Sequence, residues 1–203
     1  MTEYYVPSEE EFKDAARREF GFLKSEFAFK ESHSPFKDNN PYSIFLHHKN
    51  AFVYIEGLSY GYSLGVQIGK LGIRGNVKER FSLDYVVGLR RSDFLEPKFP
   101  AKRGQIEQMK SAAFLLKECA NDFLKGDFSA LPEVIRYQKE VQDKSRREYE
   151  AAKQKRIGIQ ASEAFHAKDY KKVIKLLSPF EKQLSAAEQL MLSQSRKHHE
   201  SQA

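Results

Sequence analysis

The hydrophobic period changes along this chain, and the change restricts it to a mixed α and β fold. Over residues 42–71 the chain holds aromatic and β-branched runs and then strict alternation at Leu64, Val66 and Ile68; from Ile106 onward apolar side chains recur at every third or fourth position. A strand sends successive side chains to opposite faces, whereas a helix gathers residues three and four apart onto one face. The expectation is α+β. An N-terminal helix with a small antiparallel sheet occupies residues 1–100, and an all-helical half occupies residues 101–203, packed against the first part.

Local signals fill in both parts. Ser8 and Glu11 have capping-box spacing, and Phe12, Ala15, Ala16 and Phe20 follow along one helical face. Gly21 is read as a left-handed helix stop, and Phe22, Phe27 and Phe29 as the first strand. Residues 32–41, with two prolines and two asparagines, read as loop. Residues 42–46 and 51–55 are aromatic and β-branched, and the link through His47, His48, Lys49 and Asn50 suggests a hairpin. Gly57 and Gly61 mark a second turn. Leu64, Val66 and Ile68 then alternate with Gly65, Gln67 and Gly69, a strand whose glycines invite a closely packed helix. The product is a meander of three or four strands. Residues 81–89 begin a short helix capped by Ser82, and Pro97 and Pro100 mark the passage to the helical half.

In that half, Ile106, Met109, Ala113, Leu116, Ala120, Phe123 and Leu124 keep helical spacing up to Gly126. Pro132 stands where its missing N–H costs nothing, near the start of a long helix. Tyr137, Val141 and Tyr149 form its narrow apolar edge, and Gly158 is a point where it continues or bends. Ala161, Ala164, Phe165 and Ala167, then Asp169 and Tyr170, then Val173, Ile174, Leu176 and Leu177 up to Pro179 are similar to a tetratricopeptide helical hairpin. Ser185 and Glu188 repeat the capping box before Leu190, Met191 and Leu192. One such hairpin cannot bury its own face alone.

Catalytic chemistry has little to stand on. The 16 Phe and 10 Tyr, with no Trp, read as core material within a 40% hydrophobic chain. Cys119 is the single cysteine and lies in an apolar helical run, so a buried thiol and a reducing, cytoplasmic setting are expected. No basic-then-apolar leader and no run of eighteen apolar residues occurs, so neither a secretion signal nor a membrane span is expected. The pairs His47-His48 and His198-His199 lack zinc-site spacing. His47 and His48 would face opposite ways on a strand with His33 no closer, and His198-His199 reads as a frayed tail. The glycines from Gly69 to Gly75 lack the Lys-Ser or Lys-Thr ending of a phosphate loop and read as a turn. Glu56, Asp84 and Asp93 are acids a fold can gather without any spacing that makes them a catalytic pair. The expectation is no enzyme, no metal and no cofactor.

Charge points elsewhere. Of a net +6, residues 1–100 contribute nothing, with 14 basic and 14 acidic side chains, while residues 101–203 hold 20 against 14. Lys139, Lys144, Arg146, Arg147, Lys153 and Arg156 lie along the long helix as a candidate surface for a partner or an anion. Glu140, Asp143, Glu148 and Glu150 sit three or four residues away and can pair with them. The helix therefore reads as a solvated salt-bridged rod, as a surface for a protein partner or for homodimerisation through the helical half, or as a nucleic-acid contact.

Several stretches carry a resemblance. They are the opening Phe12-Lys13-Asp14-Ala15 with Phe20-Gly21-Phe22, the strands Val53-Tyr54-Ile55 and Val66-Gln67-Ile68-Gly69, and Phe81-Ser82-Leu83. Leu124-Lys125-Gly126-Asp127-Phe128 and Asp169-Tyr170-Lys171-Lys172-Val173-Ile174 follow. In these the chain resembles small uncharacterised bacterial proteins of the toxin-immunity kind. The resemblance implies sequestration of a protein partner and carries no active site. The expected function is a non-catalytic protein-binding protein, and the resemblance implies an immunity-type factor that sequesters a protein partner. The alternative is a nucleic-acid-associated regulator that uses the basic long helix.

Overall fold

A computed structural model of the chain describes residues 6–36, 40–58, 63–73, 75–91 and 104–201. The first helix, α1 (Glu9–Glu19), opens on the expected capping box: Ser8 Oγ accepts from Glu11 N–H, and the Glu11 carboxylate accepts from Ser8 N–H at 2.8 Å. It buries Phe12, Ala15 and Ala16. Gly21 is not left-handed; with φ at −58° it leads into a second short helix, α2 (Phe22–Ser25). Phe20 and Leu23, three apart and both fully buried, hold the chain to helical spacing there. The reversal comes at Ala28, with φ at +57°. The first strand, β1, is consequently confined to Lys30–Ser32, and Phe22, Phe27 and Phe29 lie outside it.

Four further strands follow: β2 (Ser43–His48), β3 (Ala51–Leu58), β4 (Ser63–Leu71) and β5 (Val77–Ser82). The sheet is antiparallel throughout, in the order β1-β2-β3-β4-β5. The β2–β3 turn is tighter than expected. His47 and His48 remain in the strand, and Lys49 turns at φ +48° beside Asn50. The turn after Gly57 falls on residues 59–62, outside the described set, while the glycine-rich stretch after β4 is a turn closed by Gly75 N–H to Gly72 O at 2.9 Å. β5 is the strand that periodicity misses. Its Lys78, Glu79 and Arg80 are exposed and only Phe81 is buried, as suits a charged sheet edge.

Register sorts the sheet into two faces. Ile44, Leu46, Val53, Ile55, Val66, Ile68 and Phe81 face the main core. Over them pack α1, the helix α3 (Leu83–Arg90, capped by Ser82), α4 (Gln105–Cys119) and α5 (Asn121–Leu124). The helix expected to run on to Gly126 breaks at Ala120, and Cys119 is buried at the break. Burial pushes its thiol up from the usual range. The second face carries Phe45, Phe52, Tyr54 and Leu71, plugged by Phe36 with its ring 4.8 Å from that of Tyr54. Among the described residues, the atoms nearest a Cβ at Gly65 or Gly69 come from neighbouring strands rather than from a helix. Phe52 pairs directly with Gly69 and Glu56 with Gly65 across β3–β4, and the larger partner's side chain fills the missing Cβ position in each case.

Two compact units result, Met1–Lys139 and Glu140–Ala203. α4 and α5 therefore belong with the sheet, because their Met109, Leu116, Phe123 and Leu124 complete its core. The division expected at residue 100 lies among residues 92–103, outside the described set. The long helix α6 (Leu131–His166) runs unbroken through Gly158 and contains the boundary between units. The second unit then adds α7 (Tyr170–Leu177), a 3-10 turn (Ser178–Gln183) and α8 (Ala186–Glu200). Lys168 turns at φ +59° and Asp169 caps α7, closing the expected helical hairpin, while Pro179 ends it. Ala161, Ala164, Val173, Leu177 and Leu192 make the core.

Candidate interaction site

The second unit is built so that one apolar corner stays open. Pro179 lacks the N–H that would continue α7, so the chain enters the 3-10 turn and leaves helical geometry at Phe180, with φ at −115°. Leu184 then passes in extended conformation to Ser185, whose hydroxyl accepts from Glu188 N–H in the second expected capping box. That box fixes Glu188 beside α6: a Cβ on Gly158 would stand 2.6 Å from Glu188 Oε1. The result is a groove of ≈ 210 Å³ floored by Ala151, Ile157, Leu177, Phe180 and Leu184. Gln154, Lys155, Gln183 and Glu188 rim it, with Gln154 Nε2 donating to Gln183 Oε1 at 2.6 Å. Elsewhere on this unit Ile159 is 52% exposed and Leu190 60%.

Chemically, this corner offers an apolar seat with amide and charged groups at its edge. Such a seat takes the apolar side chain of another molecule. Phe180 and Leu184 went unnoticed as site residues in the sequence. Their signal was two large apolar residues placed between a helix-ending proline and a capping box, where a plain linker is polar.

The six cationic residues expected to mark the site are all exposed on α6. Lys139, Arg146 and Lys153, seven residues apart, share a strip with Arg156 close to it; Lys144 and Arg147 lie on another flank. Acids intervene as their spacing suggested. Arg146 pairs with Asp143 at 2.9 Å and Lys144 with Glu148 at 3.9 Å, and Arg147 Nε donates to the Asp143 carbonyl. The Lys153 ammonium stands 6.0 Å above the Phe180 ring, at the groove. Tyr149, expected on an apolar edge, is 70% exposed, so the stretch around it meets water on every side.

The remaining chemical candidates sit apart. Among the described residues no three His, Cys, Asp or Glu side chains group as metal ligands. His48 Nδ1 lies 3.1 Å from the Ala28 carbonyl, His47 stacks on Phe45, and His198 stacks on Tyr170 within α8 rather than fraying. Glu56 and Asp84 do line one depression of ≈ 340 Å³ on the second sheet face, with Gln67, Arg80 and Ser82; Asp93 lies outside the described residues. Partial burial pushes the Asp84 carboxyl above its usual range, opposed by its hydrogen bond from Ser82. The Glu56 carboxylate accepts from the Gln67 amide. Compared with known proteins, the chain matches no family model, no curated protein and no solved structure.

Proposed function

We propose that this chain is a non-catalytic protein-binding protein, an immunity-type factor that sequesters a protein partner by seating one of its apolar side chains in the groove of the second unit. The groove carries the reading. Its floor combines Phe180, Leu184 and Ile157, and its rim offers hydrogen-bonding and charged groups of both signs. This is how interface anchor pockets are composed, an apolar centre inside a polar border.

The test uses the full-length chain to capture partners from an extract of its native cells and weighs the complex by light scattering. A complex of fixed stoichiometry is expected. F180A and L184E should each abolish it while leaving the circular dichroism of the chain unchanged. The mass of the chain alone separates a second copy from a foreign partner. A complex that survives both substitutions undiminished, or turnover of a small molecule by the chain itself, overturns the reading.

A further inference from the structure

Arg136, Lys144 and Arg146 of α6 each pair with an acid on the same helix, whereas among the described residues no lysine of α7 does. Lys171, Lys172 and Lys175 of α7 fall at positions i, i+1 and i+4 and are all exposed, and Lys168, also exposed, stands in the turn just before the helix. Val173 and Leu177 on the other side fill the core. Among the described residues no carboxylate lies within ion-pair distance of any of the four. The one acid in the stretch, Asp169, spends its carboxylate on the Lys172 backbone N–H at 3.1 Å. Compare α1, where Glu9 takes Lys13 and Asp14 takes Arg17.

The arrangement is unfavourable for the free protein on two counts. Lys171 and Lys172 occupy the first turn of α7, where the helix dipole favours anions. Like charges also stand three and four residues apart along the row. A polyanion laid along it relieves both.

Rings adjoin the row. Phe165 meets Tyr170 edge-on at 5.9 Å, and Tyr170 stacks on His198 at 4.6 Å with 15° between planes. His198 is exposed, so the stack ends on an open ring. From Lys171 to Lys175 the row rises about 6 Å along α7, enough for about two phosphates of one strand. We propose that the α7 lysine row and the His198 ring bind single-stranded nucleic acid, the lysines meeting phosphates and the ring stacking on a base. A lipid surface is disfavoured because the apolar side of α7 is already inside the core, leaving nothing to insert. An acidic protein would use the charges but not the ring. This activity does not depend on the groove, whose Phe180 and Leu184 take no part in it.

The experiment follows the anisotropy of a labelled oligouridylate titrated with the full chain at stepped salt concentrations. Affinity should fall linearly on logarithmic axes. K171Q/K175Q should reduce that slope by about 1.4, since each phosphate contact on a single strand contributes about 0.7. H198A should weaken binding by about 5- to 100-fold with the slope unchanged, and H198F should restore it. K144Q/R147Q on α6 should alter neither quantity. No binding at low salt, or a slope indifferent to K171Q/K175Q, overturns the proposal. So does equal affinity for polyglutamate or phosphatidylserine vesicles with no effect of H198A.

Discussion

The two units solve the problem of staying folded in different ways. Unit one buries Phe12, Phe20 and Phe123 in the core its helices share with the sheet, and Phe52 and Tyr54 in the cluster on the second sheet face. Among the described residues of the second unit the fully packed apolar set is Ala161, Ala164, Val173, Leu177 and Leu192, none of them aromatic. Large rings remove the most apolar area from water per residue, so hydrophobic stabilisation is concentrated in the first unit. The second leans on local devices instead: the Asp169 cap, the Ser185–Glu188 capping box and an Arg196–Glu181 pair joined by two hydrogen bonds of 2.8 and 2.9 Å. A small unit of this kind sits at the low end of local stability, which is where binding surfaces are drawn from. Both the groove and the lysine row belong to it.

Core truncation is the strongest way to break that contrast. F123A should cost the first unit about 3–5 kcal/mol, and L177A should cost the second about 2–5 kcal/mol. The consequences differ because the reserves differ. Under native conditions L177A should leave the amides of α7 and α8 exchanging as if unfolded while those of β3 and β4 keep their protection. F123A should lower protection across the sheet without abolishing it. Protection lost equally in both units from either substitution would show one cooperative body instead.

A smaller effect sharpens the account of the first unit. Gln105 and Gln108 are buried at 1% and 2% exposure, and they tie the start of α4 to the start of β4. Gln105 Nε2 donates to the Ser63 carbonyl at 2.8 Å, and Gln108 Oε1 accepts from Leu64 N–H at 2.9 Å. Gly57 makes room for this, since a Cβ there would stand 2.7 Å from Gln105 Nε2. G57A should therefore cost about 1–3 kcal/mol in urea unfolding, through overpacking and a displaced buried amide. A neutral G57A would mean that the glutamine tie is not part of what holds α4 to the sheet.

The sequence showed those features that depend on residues close together in the chain. Both capping boxes, the Ser82 cap, the alternation in β4 and the run of α6 past Pro132 each rest on a few neighbouring residues, and each is present. The errors arose where distant partners decide. Nothing local shows that Phe52 will lie over Gly69, because the pairing is fixed by register across a hairpin. β5 was hidden because an edge strand with Lys78, Glu79 and Arg80 facing water has no apolar alternation. The groove was invisible for the same reason: Ala151, Phe180 and Leu184 meet only once α6 passes beside the 3-10 turn. Charge alone pointed to α6, the helix with the most cations, of which Arg136, Lys144 and Arg146 pair with acids, while among the described residues no lysine of α7 does.

Acid should separate the units most gently, through one carboxylate in each. Glu31 is held below the usual carboxylate range first by hydrogen bonds from Arg17, with Lys24 adding at 3.1 Å, against the opposing effect of partial burial. Glu181 is held down chiefly by hydrogen bonds from Arg196. Each folded pKa lies below its unfolded value of about 4.3. The stabilisation is then complete above that value and is lost as pH falls through the lower folded one. Solvent screening limits the Glu31 contribution to about 0.2–1 kcal/mol. The first unit can lose that and stay folded, whereas the second has no ring-filled core to fall back on. Below about pH 4, α8 amides should therefore lose protection before those of β1 and β2, and E181Q should flatten this acid dependence in the second unit as E31Q does in the first. A shared acid midpoint that neither substitution moves would mean that these pairs contribute nothing and that the units owe their difference to packing alone.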